Sequence, residues 1–110
     1  MSDGDGISVF ANAMREIYRR AKSEAGYNAT YFLQMLNDVG PVEAARRLLH
    51  TATPSEGFTQ LYLRNRLDLT VEAHVMQGRF ADLFTEEERD IARKRLAQYG
   101  YTPPKNLGET

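Results

Sequence analysis

The segment LDLTVEAHV (residues 67–75) decides the fold class, because it fits either a strand or a helix. Its apolar and polar residues alternate without a break, which is typical of a half-buried strand. However, Asp68 can cap a helix in which Leu69, Ala73 and Met76 share one face. No other segment could pair with a strand here, and an unpaired strand leaves its backbone groups unsatisfied. We therefore predict a buried helix, and the alternative is a strand that pairs with a second molecule.

Three helices are predicted before this segment. The first covers residues 8–25 and stops at Gly26, the second is capped by Asn28 and ends at Gly40, and the third begins at Pro41. In each of them, apolar residues recur at helical spacing. These residues form the predicted core: Phe10, Met14, Ile17, Ala21, Phe32, Met35, Leu36, Val42, Ala45, Leu48 and Leu49.

Two start signals predict the remaining helices. In TPSE (residues 53–56), Thr53 is the expected cap of the next helix. Gly57 follows in the first turn, where a residue of poor helix propensity suggests a close approach of another backbone. In TEEE (residues 85–88), the Thr and the last Glu form a capping box, and the last helix runs to Tyr99.

Length and composition agree with one folded domain. The chain has 110 residues, of which 42% are hydrophobic and 26% charged, as in ordinary globular proteins. We predict an all-α fold, a compact bundle of about five to six short helices over residues 7–101. Residues 1–6 and 102–110 are rich in Gly, Pro and polar residues and are predicted to be flexible tails.

The same composition argues against several classes of protein. There is no cysteine, so disulfides and thiolate chemistry are excluded. A net charge of -1 predicts no global attraction to nucleic acid or to an anionic membrane. No signal peptide or membrane-spanning segment is recognisable, so we expect a cytoplasmic protein.

Catalytic signatures are absent from the sequence. We find no phosphate-binding loop, nucleophile elbow or zinc-protease motif, and we expect no enzyme, metal or cofactor. His50 is expected on the polar face of the third helix, beside Glu43 and Arg47. His74 with Asp68 or Glu72 is the alternative, an acid-base or metal site. It is disfavoured, because Asp68 and His74 point in different directions on a helix.

Two basic stretches and one pair of arginines are candidate binding residues. The basic stretches could contact phosphates, but they also fit a solvated surface with ion pairs from Glu16 to Arg20 and from Asp90 to Lys94. Two Arg near residue 65 are predicted to form an internal clamp that bonds helix carbonyls or carboxylates. Tyr101 could add interface area. The candidates are therefore Arg15, Arg19, Lys22, Arg64, Arg66, Arg93, Lys94, Arg95 and Tyr101.

Seven segments of the chain form a distinctive pattern: GYNAT (26–30), FLQML (32–36), EAARRLL (43–49), SEGFT (55–59), RLDLTVEA (66–73), LFTEEE (83–88) and YGY (99–101). Together they resemble a small, all-helical bacterial module of uncharacterised function, over roughly residues 15–101. The resemblance implies a helical module that stands alone or is appended to larger bacterial proteins, some of which handle nucleic acid. It implies no catalytic residue.

A complete core pattern without a reactive group predicts an interaction or accessory module. Such a module would bind another protein, or itself, through exposed aromatic and Arg side chains. The alternative is a nucleic-acid-binding accessory protein that uses the Arg-rich helix faces.

Overall fold

The computed structural model describes the backbone of residues 3–103 and the side chains of residues 6–103. This part of the chain is all-helical and contains no strand, as predicted. It has six α-helices and two short 3₁₀ helices, Leu67–Leu69 and Gly78–Leu83. The α-helices are α1 (Asp3–Ala25), α2 (Thr30–Val39), α3 (Pro41–Leu49), α4 (Glu56–Leu63), α5 (Val71–Val75) and α6 (Glu86–Gln98).

The core lies around α3 and α5, which both pack against α1 and α6. Phe10 of α1 is fully buried and meets two phenylalanines from the later part of the chain. Its ring centroid lies 4.9 Å from that of Phe80 and 5.3 Å from that of Phe84, both in edge-on geometry. Such pairs stabilise a core beyond the area they bury. These contacts hold the first and last thirds of the bundle together.

Residues 67–75 are helical, so the helix prediction is confirmed and the strand alternative is wrong. The segment is divided in two, because Thr70 has an extended backbone between the 3₁₀ helix and α5. The Thr70 hydroxyl caps α5 by accepting a bond from the Ala73 N–H at 3.1 Å. Asp68 is not the cap that we predicted, because its carboxylate binds Arg66. The strand-like alternation arises because Thr70 and Glu72 are buried together with the apolar residues.

Two further caps differ from the prediction, and one is confirmed. Ala29 rather than Asn28 precedes α2, since the side-chain oxygen Oδ1 of Asn28 accepts a bond from the Tyr18 hydroxyl. Ser55 rather than Thr53 caps α4, because its extended backbone directs its hydroxyl to the N–H three residues later. At the start of α6, both hydrogen bonds of the predicted capping box are present.

Two predictions about glycines are also wrong. α1 begins at Asp3, so residues 3–6 of the predicted N-terminal tail belong to this helix. Extending a long helix costs less free energy than nucleating one, and Gly6 therefore does not end the helix. At Gly57, an added Cβ would lie 3.8 Å from Ser55 and 3.9 Å from Tyr27, which are ordinary contacts. No close backbone approach therefore requires this glycine. The predicted C-terminal tail beyond residue 103, and residues 1 and 2, lie outside the described residues.

Candidate binding sites

An open cavity lies between α1, α2, α3, α4 and the segment that leads into the first turn of α5. Its volume is about 480 Å³, which falls within the usual range for ligand pockets. Tyr31 at the cavity is 78% exposed. The rest of the wall is mainly apolar and includes Ile17, Phe32, Met35, Phe58 and Leu61.

Three charged residues line the cavity. Arg47 and Glu56 are exposed, whereas Glu72 is only 2% exposed. Burial raises the pKa of the Glu72 carboxyl, and hydrogen bonds from its own backbone and from Arg95 oppose that rise. Glu72 is therefore a polar group in the interior part of the wall.

Arg95 forms a buried clamp, which we define as its contacts with Glu72, Leu48 and Thr51. Its guanidinium donates to the Glu72 carboxylate at 3.1 Å and to the backbone oxygens of Leu48 at 3.0 Å and Thr51 at 2.8 Å. The Arg95 side chain is 8% exposed. The prediction of Arg95 as a surface residue beside Arg93 is therefore wrong, because it faces inward and joins α6 to α3 and α5.

Arg66 forms a surface clamp, which we define as its contacts with Glu24 and Asp68. It lies 2.8 Å from the Glu24 carboxylate and 3.0 Å from that of Asp68. Hydrogen bonds from Arg20 and Arg66 lower the pKa of Glu24 to about 2. The Arg66 hydrogen bond likewise lowers the pKa of Asp68. This clamp joins the end of α1 to the first 3₁₀ helix.

Arg64 completes the arginine pair that the sequence predicts to be an internal clamp. Its Nε donates to the backbone oxygen of Ala25, the last residue of α1, at 2.9 Å. Its guanidinium also lies 5.5 Å from the centre of the Tyr27 ring. Arg64 therefore bonds a helix carbonyl while Arg66 holds carboxylates, so the predicted contacts are present, although they lie at the surface of the bundle.

The other basic candidates are exposed, but they do not form one patch. α1 and α6 pack on α3 and α5 rather than closely on each other. Arg19 pairs with Glu16, and Arg93 pairs with Asp90. The predicted ion pairs, which joined Glu16 to Arg20 and Asp90 to Lys94, are therefore wrong. Each carboxylate pairs at i,i+3 spacing, and Arg20 instead pairs with Glu24. The exposed members of the two basic stretches are Arg15, Arg19, Lys22, Arg93 and Lys94.

His50 takes part in a contact that sequence reasoning missed. Its Nε2 lies 3.0 Å from the carboxylate of Glu88, and the Nε of Arg46 lies 3.4 Å from the same carboxylate. As predicted, His50 lies at the end of α3 and is exposed, like Glu43 and Arg47 on the same helix, which pair with each other. The sequence pattern shows that Glu88 belongs to a capping box. It does not show that the end of α3, where His50 lies, packs next to the start of α6.

His74 does not form the site with Asp68 or Glu72 that was the alternative prediction. Its Nδ1 lies 2.9 Å from the backbone oxygen of Thr70, and burial lowers the pKa of the imidazole. Asp68 and Glu72 are bonded to different arginines. Within the part of the chain that the structure describes, no cluster of three or more acidic or imidazole side chains could hold a metal ion.

Aromatic rings meet where α4 lies against the end of α6. The ring of Tyr99 lies 5.1 Å from that of Phe58 and 4.9 Å from that of Tyr62, both edge-on. Tyr101 packs against the same apolar cluster, and Leu63 is 67% exposed. We call Tyr62, Leu63, Tyr99 and Tyr101 the aromatic surface.

The comparisons with known proteins identify no relative. No protein family, no curated protein and no solved structure matches this chain. Among the residues that the structure describes, no helix has the length and apolar character needed to cross a membrane.

Proposed function

We propose that this protein is an interaction module that binds another protein through the aromatic surface. The observation that carries the proposal is the 67% exposure of Leu63 beside Tyr62, which is itself 43% exposed and rests on Tyr99. Tyrosines are enriched in protein interfaces, because they supply a large contact area together with a polar group. The aromatic surface is thus the type of surface that a partner protein buries.

The edge-on packing of these rings supports the proposal, because it reduces the entropic cost of binding. Tyr99 lies between Phe58, which is buried, and Tyr62, which is partly exposed. A ring that is already held in place loses less conformational freedom when a partner covers it. The aromatic surface is therefore preorganised, and its contact area is available at a low entropic cost.

Binding of nucleic acid is less well supported than binding of protein. That alternative used Arg-rich faces of the first and last helices, but Arg95 is buried. Arg19 and Arg93 are already paired with neighbouring carboxylates. The absence of enzymatic activity and the bacterial, cytoplasmic setting remain predictions from the sequence.

A site-specific photocrosslinker tests the proposal. Benzoylphenylalanine is placed at Leu63, in the aromatic surface, and in a matched variant at Tyr31, which is also exposed but lies at the cavity on α2. Irradiation in the native host is expected to give one discrete heavier protein adduct from position 63 and not from position 31. Mass spectrometry of the adduct then identifies the partner.

The proposal also predicts which further change abolishes the adduct. Tyr62→Ala, introduced beside the crosslinker at position 63, removes a neighbouring ring and should reduce the adduct at least fivefold, since tyrosine is enriched among the interface residues whose truncation costs about 2 kcal/mol or more. Absence of any adduct, or equal adducts from positions 31 and 63, contradicts the proposal. An adduct between two copies of this chain would show that the aromatic surface binds a second copy, and this would overturn the proposal of a different partner protein.

A further inference from the structure

The cavity is kept open by the small residues in its wall. Ala21, Ala29 and Gly57 all line it. The Cβ that Gly57 lacks would meet only ordinary contacts, so a methyl group is accommodated at this position. Apolar wall atoms that face an open cavity lack packing partners and remain exposed to water, which is unfavourable. The cavity nevertheless has a volume of about 480 Å³.

The charged residues of the wall restrict what the cavity can hold. The interior carboxylate, Glu72, is already neutralised by Arg95. A cationic ligand would therefore gain little from Glu72, and any charged ligand would lose its hydration against a mainly apolar wall. An uncharged ligand avoids both costs.

Glu72 still has hydrogen-bonding capacity. A carboxylate offers about four acceptor positions. Among the described residues, its partners are the Arg95 guanidinium and its own backbone N–H. A donor group on a ligand can use a remaining position without breaking the buried clamp.

We propose that the cavity is a binding site for an uncharged, mainly apolar ligand, of the size of a bicyclic ring or larger, that donates one hydrogen bond to Glu72. The volume matches that of small-molecule pockets, the wall is mainly apolar, and Glu72 provides one fixed acceptor for orientation. This site is separate from the aromatic surface, although Phe58 lines the cavity and also packs against Tyr99. The proposal is independent of the proposed function.

Indole is a suitable probe, because it is uncharged, apolar and carries one N–H donor. Titration of the ¹⁵N-labelled full chain with indole is followed by ¹H–¹⁵N correlation spectra. Saturable shifts are expected at amides of the cavity wall on α2 and α4, for example those of Phe32, Met35 and Phe58. Shifts that do not saturate, or that centre on the aromatic surface at Tyr62 and Tyr101, overturn the proposal.

A matched pair of variants at Gly57 locates the ligand. Gly57→Leu fills part of the cavity and should weaken indole binding at least tenfold. Gly57→Ala adds only a methyl group with ordinary contacts and should bind indole as the wild type does. Thermal unfolding of both variants verifies that they are folded. Equal binding by the Leu variant and the wild type refutes the assignment to this cavity.

Three analogues test the chemical class. Indene, which has a similar shape but no N–H donor, should bind about tenfold more weakly than indole if the bond to the Glu72 carboxylate forms. Tryptamine, a cation, and indole-3-acetate, an anion, should each bind at least tenfold more weakly. Tight binding of indene removes the role of Glu72 as acceptor, and tight binding of either ion removes the restriction to uncharged ligands.

Discussion

The two arginine clamps use the same chemistry in opposite surroundings. In the buried clamp, the side chain of Arg95 is 8% exposed and that of Glu72 is 2% exposed. In the surface clamp, the corresponding values are 28% for Arg66, 39% for Glu24 and 41% for Asp68. Burial raises the pKa of Glu72, whereas hydrogen bonds from arginine lower those of Glu24 and Asp68. Loss of water therefore dominates at the first clamp and hydrogen bonding dominates at the second.

This difference shows that the number of contacts made by an arginine does not determine how much the arginine contributes to the stability of the fold. An exposed charge that loses its partner regains water, so exposed pairs usually contribute less than about 1 kcal/mol. A buried charge that loses its partner has no such replacement. The buried clamp should therefore dominate stability, although both clamps join separate helices.

Removal of Arg95 should have the largest effect. Arg95→Met leaves the Glu72 carboxylate and the backbone oxygens of Leu48 and Thr51 without their donor. We expect a loss of about 3 to 5 kcal/mol in the free energy of unfolding, measured by urea denaturation. Arg93→Met, on the exposed side of α6, is the control and should change stability by about 0.5 kcal/mol or less. Similar losses in the two variants would contradict the comparison.

Removal of both members of the buried pair should restore part of that loss. In the double variant Glu72→Leu with Arg95→Met, no unpaired buried carboxylate remains. We expect it to be more stable than Arg95→Met alone by about 1 kcal/mol or more, in the same urea experiment. It should stay below the wild type, since the oxygens of Leu48 and Thr51 still lack a donor. A double variant no more stable than the single one would show that packing, not charge, sets the cost.

A change in the surface clamp should have a smaller effect. Asp68→Asn removes the charge that faces Arg66 while it keeps the size of the side chain. The expected loss is at most about 1 kcal/mol, because both groups remain accessible to water. High salt should reduce the difference from the wild type, which the buried clamp should not show. A loss as large as that of Arg95→Met would remove the distinction between the clamps.

The smallest expected effect is a dependence on pH. Because the pKa of Glu24 is lowered in the fold, ionised Glu24 stabilises the protein above its ordinary pKa of 4.5, and this stabilisation is lost as the pH falls towards about 2. The melting temperature of the wild type should therefore exceed that of Glu24→Gln at pH values above 4.5. The two values should converge near pH 2. A difference that stays constant through this range would exclude Glu24 as its source.

Local sequence patterns predict most of the fold. The capping box at Thr85, the ends of α1 and α2 before Gly26 and Gly40 and the helical state of residues 67–75 follow from short-range rules. The caps at Asn28 and Thr53 failed for different physical reasons: the side-chain oxygen of Asn28 accepts a bond from Tyr18, whereas Ser55 has the extended backbone that lets it cap α4 in place of Thr53. Several residues compete for each cap, and sequence alone does not rank them.

The candidate sites are less predictable than the helices. The arginine pair at 64 and 66 could be recognised as a clamp, because arginines at a helix junction bond helix carbonyls or carboxylates. Its partners Ala25 and Glu24 could not, since they lie 39 and 42 residues earlier in the chain. Arg95 carried a missed signal: it shares helical spacing with Ala92 and Leu96, both fully buried, and so lies on the inward face of α6. The cavity had no signal at all, since its wall comes from five separate segments whose distances are set by packing.

The edge-on packing of Phe10 against Phe80 and Phe84 has a consequence for the chain during its synthesis. About 70 residues separate Phe10 from Phe80. At a translation rate of about 5–20 residues per second, this interval takes several seconds. Throughout it, the apolar face of the first helix lacks the rings that cover it in the finished bundle. The growing chain therefore exposes the apolar face of α1, to which chaperones can bind. The bundle closes only after Phe84 has left the ribosome.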